Sequence, residues 1–497
     1  MVDHRTMPLG DALQHLMQDD HAAFYTPGHK RGQGSHDAFA KIVGQSAFQA
    51  DIPELPELDN LFAPQGAIAD AQALAADAFG ADRTWFLVNG STSGVIAAII
   101  ATCAPGDQLI LPRNVHRSAI VGLILSGAVP VFVTPEYDPS WDLVYSITPQ
   151  GVAQALAQHP DSRAVLMVYP TYEGVCGDLG TIANLAHQHG LPLLVDEAHG
   201  AHFHFHPDLP PSALSLGADL VVQSTHKVLS AFTQAAMIHT QGDRIASDRL
   251  SQALALVQST SPSNLLLGSL DAARQQMALH GKDLMTTTLQ LASLARTELA
   301  QLSNLSILSL SHPSPAFMAL DPTRLTVNVA QLGMTGFEAD DRLRQAHRVI
   351  CELPALQNLT FILSLGNTDR DIQRLVSGLK QLVKSAQLQR LTGSKPLPST
   401  ALCTPSTTVS PFPTNYHTLV LTPREAFFAP RKTVPIAEAI DRVSAELICP
   451  YPPGIPTVIP GEVITASMVD YLRQILTAGG YVTGCADSRL ETIAIIH

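Results

Sequence analysis

Between about residues 66 and 240 the chain alternates short, continuous apolar runs with longer amphipathic stretches. The runs TWFLVN (84–89), DQLILP (107–112), AVPVFVTP (128–135), RAVLMVYP (163–170), LPLLVD (191–196), ADLVVQS (218–224) and AAMIHT (235–240) predict strands covered on both faces. Ser91–Cys103, His116–Ser126, Pro149–Gln158 and Thr181–His189 predict the helices between them. This alternation predicts parallel strands in a doubly wound α/β sheet. Ligands in such sheets sit beyond the carboxyl ends of the strands, so residues just after strands are the ones to read for chemistry.

Further along, 245–305 reads as polar-faced connecting helices and 306–384 as a smaller α/β pattern. Lys395–Asn415 is rich in Ser, Thr and Pro, which predicts a linker. The expected organisation is an N-terminal arm (1–65), a large α/β domain with its connecting helices (66–305), a small α/β domain (306–390), a linker (391–415) and a C-terminal α+β domain (416–497).

Composition narrows the function. A length of 497 residues fits about three domains of about 150 residues each. The net charge of -13, with no basic run, argues against nucleic acid, whose phosphates need clustered Lys and Arg. No basic stretch precedes an apolar one at the N-terminus, so no secretory signal is expected. The longest apolar runs, GVIAAIIATCA and AIVGLILSGAVPVFV, are too short or carry a proline, so no membrane span is expected. The 6 cysteines lie far apart without a C-x-x-C pair, which predicts reduced thiols in a cytoplasmic protein. Lysines are scarce: Lys30, Lys41, Lys227, Lys282, Lys380, Lys384, Lys395 and Lys432.

Four positions after strands combine into one chemistry. Asn89-Gly90-Ser91-Thr92-Ser93-Gly94 opens a helix after a strand, where backbone N–H groups and three hydroxyls suit a phosphate; an ordinary Ser N-cap is the plainer reading. Asp196 ends LPLLVD. Lys227 follows ADLVVQS within Ser224-Thr225-His226-Lys227, where partial desolvation would make its amine a Schiff-base former rather than a surface charge. His116 follows DQLILP, where an imidazole can stack on a flat ring. Pyridoxal 5'-phosphate needs these parts together: a phosphate cradle, an amine, a carboxylate for its pyridine nitrogen and a flat partner.

These segments resemble the Orn/Lys/Arg decarboxylases of the fold type I, aspartate aminotransferase superfamily, in the shorter form without an N-terminal wing domain. The resemblance runs through FYTPGHKRGQG (24–34), ELDNLFAPQGAIADAQ (57–72), FLVNGSTSG (86–94), PRNVHRSAI (112–120), YPTYEGVCGDL (169–179), VDEAHGAHFHFH (195–206), STHK (224–227) and YPPGIPTVIPGE (451–462). It implies a fold type I large domain with a mostly parallel sheet between helices. It implies Lys227 bonded to pyridoxal 5'-phosphate, Asp196 on the pyridinium nitrogen, His116 on the ring face, and Ser91, Thr92, Ser93, Ser224 and His226 around the phosphate. His199 stands where some relatives have tryptophan, and contact with the ring edge is its expected role.

By the same resemblance, Lys227 or His226 returns a proton to the substrate Cα, and Glu57, Asp59 or Glu462 receives the distal cation of a basic amino acid. Arginine comes first, giving agmatine, with lysine and ornithine as further substrates, in a homodimer or an assembly of dimers. His202, His204 and His206 alternate as if on one strand face, but the family carries a similar run without a metal and none is expected. The competing readings are a fold type I aminotransferase using Arg424 or Arg431 for the substrate carboxylate, and a catalytically silent regulatory relative.

Overall fold

The computed structural model describes residues 3–391, 419–451 and 453–497, so the expected linker lies outside the described residues apart from its first position. The chain forms two compact units, Met1–Thr102 with Pro192–Thr286 and Cys103–Leu191 with Thr287–His497. Compactness therefore divides the chain differently from the sequence pattern, and the expected 66–305 domain contributes to both units.

In the first unit, strands β1 (Arg83–Leu87), β2 (Leu193–Asp196), β3 (Leu220–Gln223) and β4 (Ala236–Thr240) lie in the order β1–β4–β3–β2. β2 and β3 run parallel with Asp196 opposite Val222, and the Glu197 N–H extends the ladder to the Val222 carbonyl at 2.9 Å. β4 departs from the parallel reading, being antiparallel to both β1 and β3. The cause is the short connection after β3, which holds only a one-turn helix and cannot make a full crossover. An apolar run looks the same in either direction, so periodicity alone could not show this.

Helix α1 (Ala67–Phe79) precedes β1 and ends at Gly80 with φ 72, a left-handed cap that a side chain would resist. Helix α2 (Gly90–Thr102) follows β1, and its Val95, Ile96, Ala97, Ala98 and Ile99 are buried. A Cβ on Gly94 would fall 2.7 Å from both Leu87 Cδ1 and Val222 Cγ1, so glycine lets α2 lie directly on β1 and β3. That close approach brings the first turn of α2, with its serines, to the end of β3.

The second unit holds parallel strands Gln108–Pro112, Val129–Val133 and Ala164–Val168, with helices Arg117–Ser126, Pro149–Gln158 and Leu179–Gln188. These match the sequence reading to within two residues at every helix end. The region expected as a small α/β domain folds as an antiparallel sheet of Ser306–Ile307, Arg324–Asn328, Asn358–Ile362 and Leu353–Pro354, packed on helix Asp369–Leu391 through Leu325, Val327, Leu359, Val376 and Leu379. The C-terminal residues pair Arg431–Pro435 with Thr492–Ile496 and pack them on helix Ala466–Thr477 through Ile436, Leu472 and Ile493. No helix among the described residues is long and apolar enough to cross a membrane.

Candidate active site

The first unit gathers its chemistry at the carboxyl ends of β2 and β3. Asp196 closes β2 with its carboxyl Oδ1 accepting the Ala198 N–H at 3.2 Å. Oδ2 takes no protein donor among the described residues. Burial pushes this carboxyl up, against the opposing pull of the Lys227 charge and the Ala198 N–H. The chain then turns tightly, Gly200 N–H donating to the Glu197 carbonyl at 3.0 Å. A Cβ on Gly200 would meet Glu197 Cγ at 2.7 Å and the Phe203 ring at 3.0 Å, so the turn needs glycine there. His199 sits inside it, 7% exposed, and its Nε2 lies 2.9 Å from Lys227 Nζ.

Lys227 is carried by α3 (Thr225–Val228), the single helical turn after β3. Ser224, just before it, donates its hydroxyl to Ser91 Oγ at 2.6 Å and so joins the end of β3 to the start of α2. Ser93 is buried and donates back to the Gly90 carbonyl at 2.8 Å, while Thr92 is exposed. His226 Nδ1 lies 3.0 Å from the Ala235 carbonyl, which can only accept, so Nδ1 carries the hydrogen of that contact. Thr225, which the sequence reading passed over, is fully buried with its hydroxyl unbonded.

Behind the site runs a polar chain whose members also went unread. Glu197 is wholly buried, with Oε1 accepting the Ala213 N–H at 2.7 Å and Oε2 the Gln223 amide at 2.7 Å. Burial pushes its carboxyl up to about 8. Gln223 Oε1 is 3.1 Å from His239 Nε2, and His239 Nδ1 is 2.7 Å from Thr84 Oγ1. Burial, with a smaller push from His204, holds His239 down to about 3. The signal available in the sequence was the doublet Asp196-Glu197, two acids at the end of an apolar strand.

Two of the three carboxylates expected to receive substrate are otherwise engaged. Asp59 accepts the backbone N–H groups of Asn60, Gln65, Gly66, Ile68 and Ala69, so it caps α1, and those bonds hold its carboxyl below the usual range although partial burial opposes them. Glu462, in the second unit, is 3% exposed and pairs with the fully buried Arg113 at 2.8 Å. Arg113 also donates to the carbonyls of Pro456 and Thr457. A buried guanidinium requires such a counter-charge, which is why this acid is not offered to solvent. Glu57 is exposed on the turn Pro56–Leu58.

His116 also lies in the second unit. It caps helix Arg117–Ser126, its Nδ1 accepting the Ser118 N–H at 3.2 Å, and packs beside Gly454, where a Cβ would stand 3.4 Å from its Nε2. Arg424 donates to the Ile124 and Leu125 carbonyls, so the aminotransferase role considered for it is taken by helix capping. His202, His204 and His206 do not share a strand face: Phe203–Phe205 is a 3₁₀ turn, and no metal-binding group of His, Cys, Asp and Glu occurs among the described residues.

Known proteins place this arrangement. Residues 7–316 match the Orn/Lys/Arg decarboxylase major domain and residues 411–484 the C-terminal domain of the same enzymes. The chain is 38% identical over 497 residues to the arginine decarboxylase of Bacillus subtilis (strain 168), covering 100% of this chain and 99% of that one. It is 39% identical over 474 residues to the arginine decarboxylase of Halalkalibacterium halodurans, covering 95% and 94%. In fold it is similar to the Francisella novicida lysine decarboxylase, with a TM-score of 0.82 at 23% identity over 99% of this chain and 81% of that one. The chain belongs to the Orn/Lys/Arg decarboxylase family.

Proposed function

We propose that the chain is a pyridoxal 5'-phosphate-dependent decarboxylase of a basic amino acid, with arginine as its first substrate and agmatine as the product. The observation carrying this reading is the meeting of Lys227, Asp196 and the Ser224–Ser91 hydroxyl pair at the ends of two parallel strands. The residues fit the cofactor. Asp196 is a buried carboxyl with an unengaged oxygen, for which a pyridinium N–H would be a fitting charged donor. Ser91, Ser224 and the unbonded Thr225 hydroxyl would hold the phosphate, with Thr92 and Ser93 beside them. Lys227 would bond to the aldehyde, with His199 against it.

When bound, pyridoxal phosphate supplies an electron sink for the pair released as the Cα–carboxylate bond breaks. Asp196 would hold the proton on the ring nitrogen that keeps this sink effective. The burial of Asp196 and His199 keeps water from the developing charge. Lys227 Nζ, or His226 Nε2, holds the proton that Cα receives once CO2 has left. Among the acids considered for the distal guanidinium, Glu57 is the one whose carboxylate is exposed. The ring-stacking role of His116 is supported by the family resemblance alone.

The arginine preference is supported by relatives at 38% and 39% identity that are named arginine decarboxylases. Cys103, Cys176, Cys351, Cys449 and Cys485 form no disulfide among the described residues, which suits a cytoplasmic enzyme, and a homodimer is the expected assembly. The test is a panel of arginine, lysine and ornithine with the amine product identified and no 2-oxo acid added. Agmatine formed with equimolar CO2 is the expected result. A product appearing only when a 2-oxo acid is supplied would overturn the reading in favour of amino transfer.

A further inference from the structure

Most lysines of a protein are ammonium ions at neutral pH and react poorly with carbonyl groups, because the nitrogen lone pair carries a proton. A lysine that must form a Schiff base needs somewhere for that proton to go. Three titratable groups, Asp196, Glu197 and His199, lie in and beside the turn that follows β2, and they differ in what they can do for Lys227. Asp196 is committed to the end of β2 with one oxygen on the Ala198 N–H, and a carboxylate near the amine favours the ammonium form. Glu197 has both oxygens engaged by Ala213 and Gln223. His199 alone among the three is in hydrogen-bond contact with the amine, Nε2 to Nζ at 2.9 Å, on a ring 7% exposed and set in the glycine-dependent turn after Asp196.

From this geometry we infer that His199 is the proton acceptor that readies Lys227 for the aldehyde. The inference rests on the reading of Lys227 as the cofactor lysine. One proton of the Lys227 ammonium passes along the 2.9 Å contact to His199 Nε2, leaving a free amine and an imidazolium. The amine lone pair then forms the bond to the aldehyde carbon. The aldehyde oxygen takes two protons, one from the amine and one returned by His199, and leaves as water as the C=N bond closes. No oxidant or reductant is required. The contact also holds the amine in one place, because a long lysine side chain otherwise samples many rotamers.

The test uses the full-length protein freed of cofactor and follows capture of added pyridoxal phosphate by stopped-flow absorbance. The amount finally bound is measured separately, after borohydride reduction, by mass. Loss of the base in His199→Gln, which keeps a hydrogen-bonding side chain of similar reach, should slow capture by about a hundredfold, at the lower end of general-base effects, while the final stoichiometry stays near that of the wild type. In His199→Ala, which opens a ring-sized space, added imidazole should restore the rate in proportion to its concentration. A merely structural role for the ring would give no such rescue. Unchanged capture rates in both variants, or slowed capture in His199→Ala that imidazole does not relieve, would overturn the inference. Failure of the wild type to capture pyridoxal phosphate would instead overturn the reading of the site.

Discussion

Glu197 gives the account a sharp pH signature. It is 0% exposed, and burial raises its carboxyl from 4.5 to about 8. A raised folded-state pKa means that the fold favours the protonated acid. The stabilisation is therefore complete below pH 4.5 and is lost as pH climbs towards 8. At about 1.4 kcal/mol per pH unit, the full loss is about 5 kcal/mol, with about 3 kcal/mol gone by pH 7. Glu197→Gln keeps the shape of the neutral acid and cannot ionise. The Gln223 amide can reverse its ends to meet it, since His239 is neutral and can accept as well as donate. Urea unfolding of wild type and variant should show the wild type losing about 2 to 3 kcal/mol relative to the variant between pH 5 and pH 7. Parallel stability curves over that range would refute a buried, proton-holding Glu197.

Three further outcomes follow from the same contacts. Glu462→Gln strands the buried Arg113 guanidinium and should cost about 3–5 kcal/mol in unfolding experiments; a stable variant with a raised KM for arginine would return Glu462 to the substrate. Asp59→Ala removes the cap of α1 and should cost about 1–2 kcal/mol, with faster hydrogen exchange at Gly66, Ile68 and Ala69. No change in that exchange would contradict the capping role. On the acid side, His239 is held neutral down to about 3, so stability should fall as pH drops below about 6.5, the ordinary imidazole value. His239→Gln should flatten that limb, and an unaltered limb would show that another group produces it.

The strands and helices of both units were readable because continuous apolar runs and 3.6-residue periodicity report burial directly. The direction of β4 was not, since Ala236–Thr240 pairs equally well either way and only the short connection after β3 decides. The placement of Lys227, Asp196, Ser91 and Ser224 at the candidate site was legible because each directly follows or ends a strand or opens a helix. The partners that Asp59 and Glu462 take in the fold were hidden for a common reason. A carboxylate in sequence looks the same whether it faces a substrate or satisfies partners that only the fold supplies, here five backbone N–H groups and a buried arginine. The polar chain from Glu197 to Thr84 was hidden because its four members are spread over more than 150 positions and meet only across strands β1, β4 and β3.

The central claim is that Lys227, and no other lysine of the chain, bonds to pyridoxal phosphate. Borohydride reduction of the cofactor-loaded protein, followed by proteolysis and mass spectrometry, tests it in one step. A pyridoxyl group is expected on the peptide containing Ser224-Thr225-His226-Lys227 and is expected to be absent in Lys227→Ala. A pyridoxyl group on any other lysine, or a protein that takes up none, would contradict it.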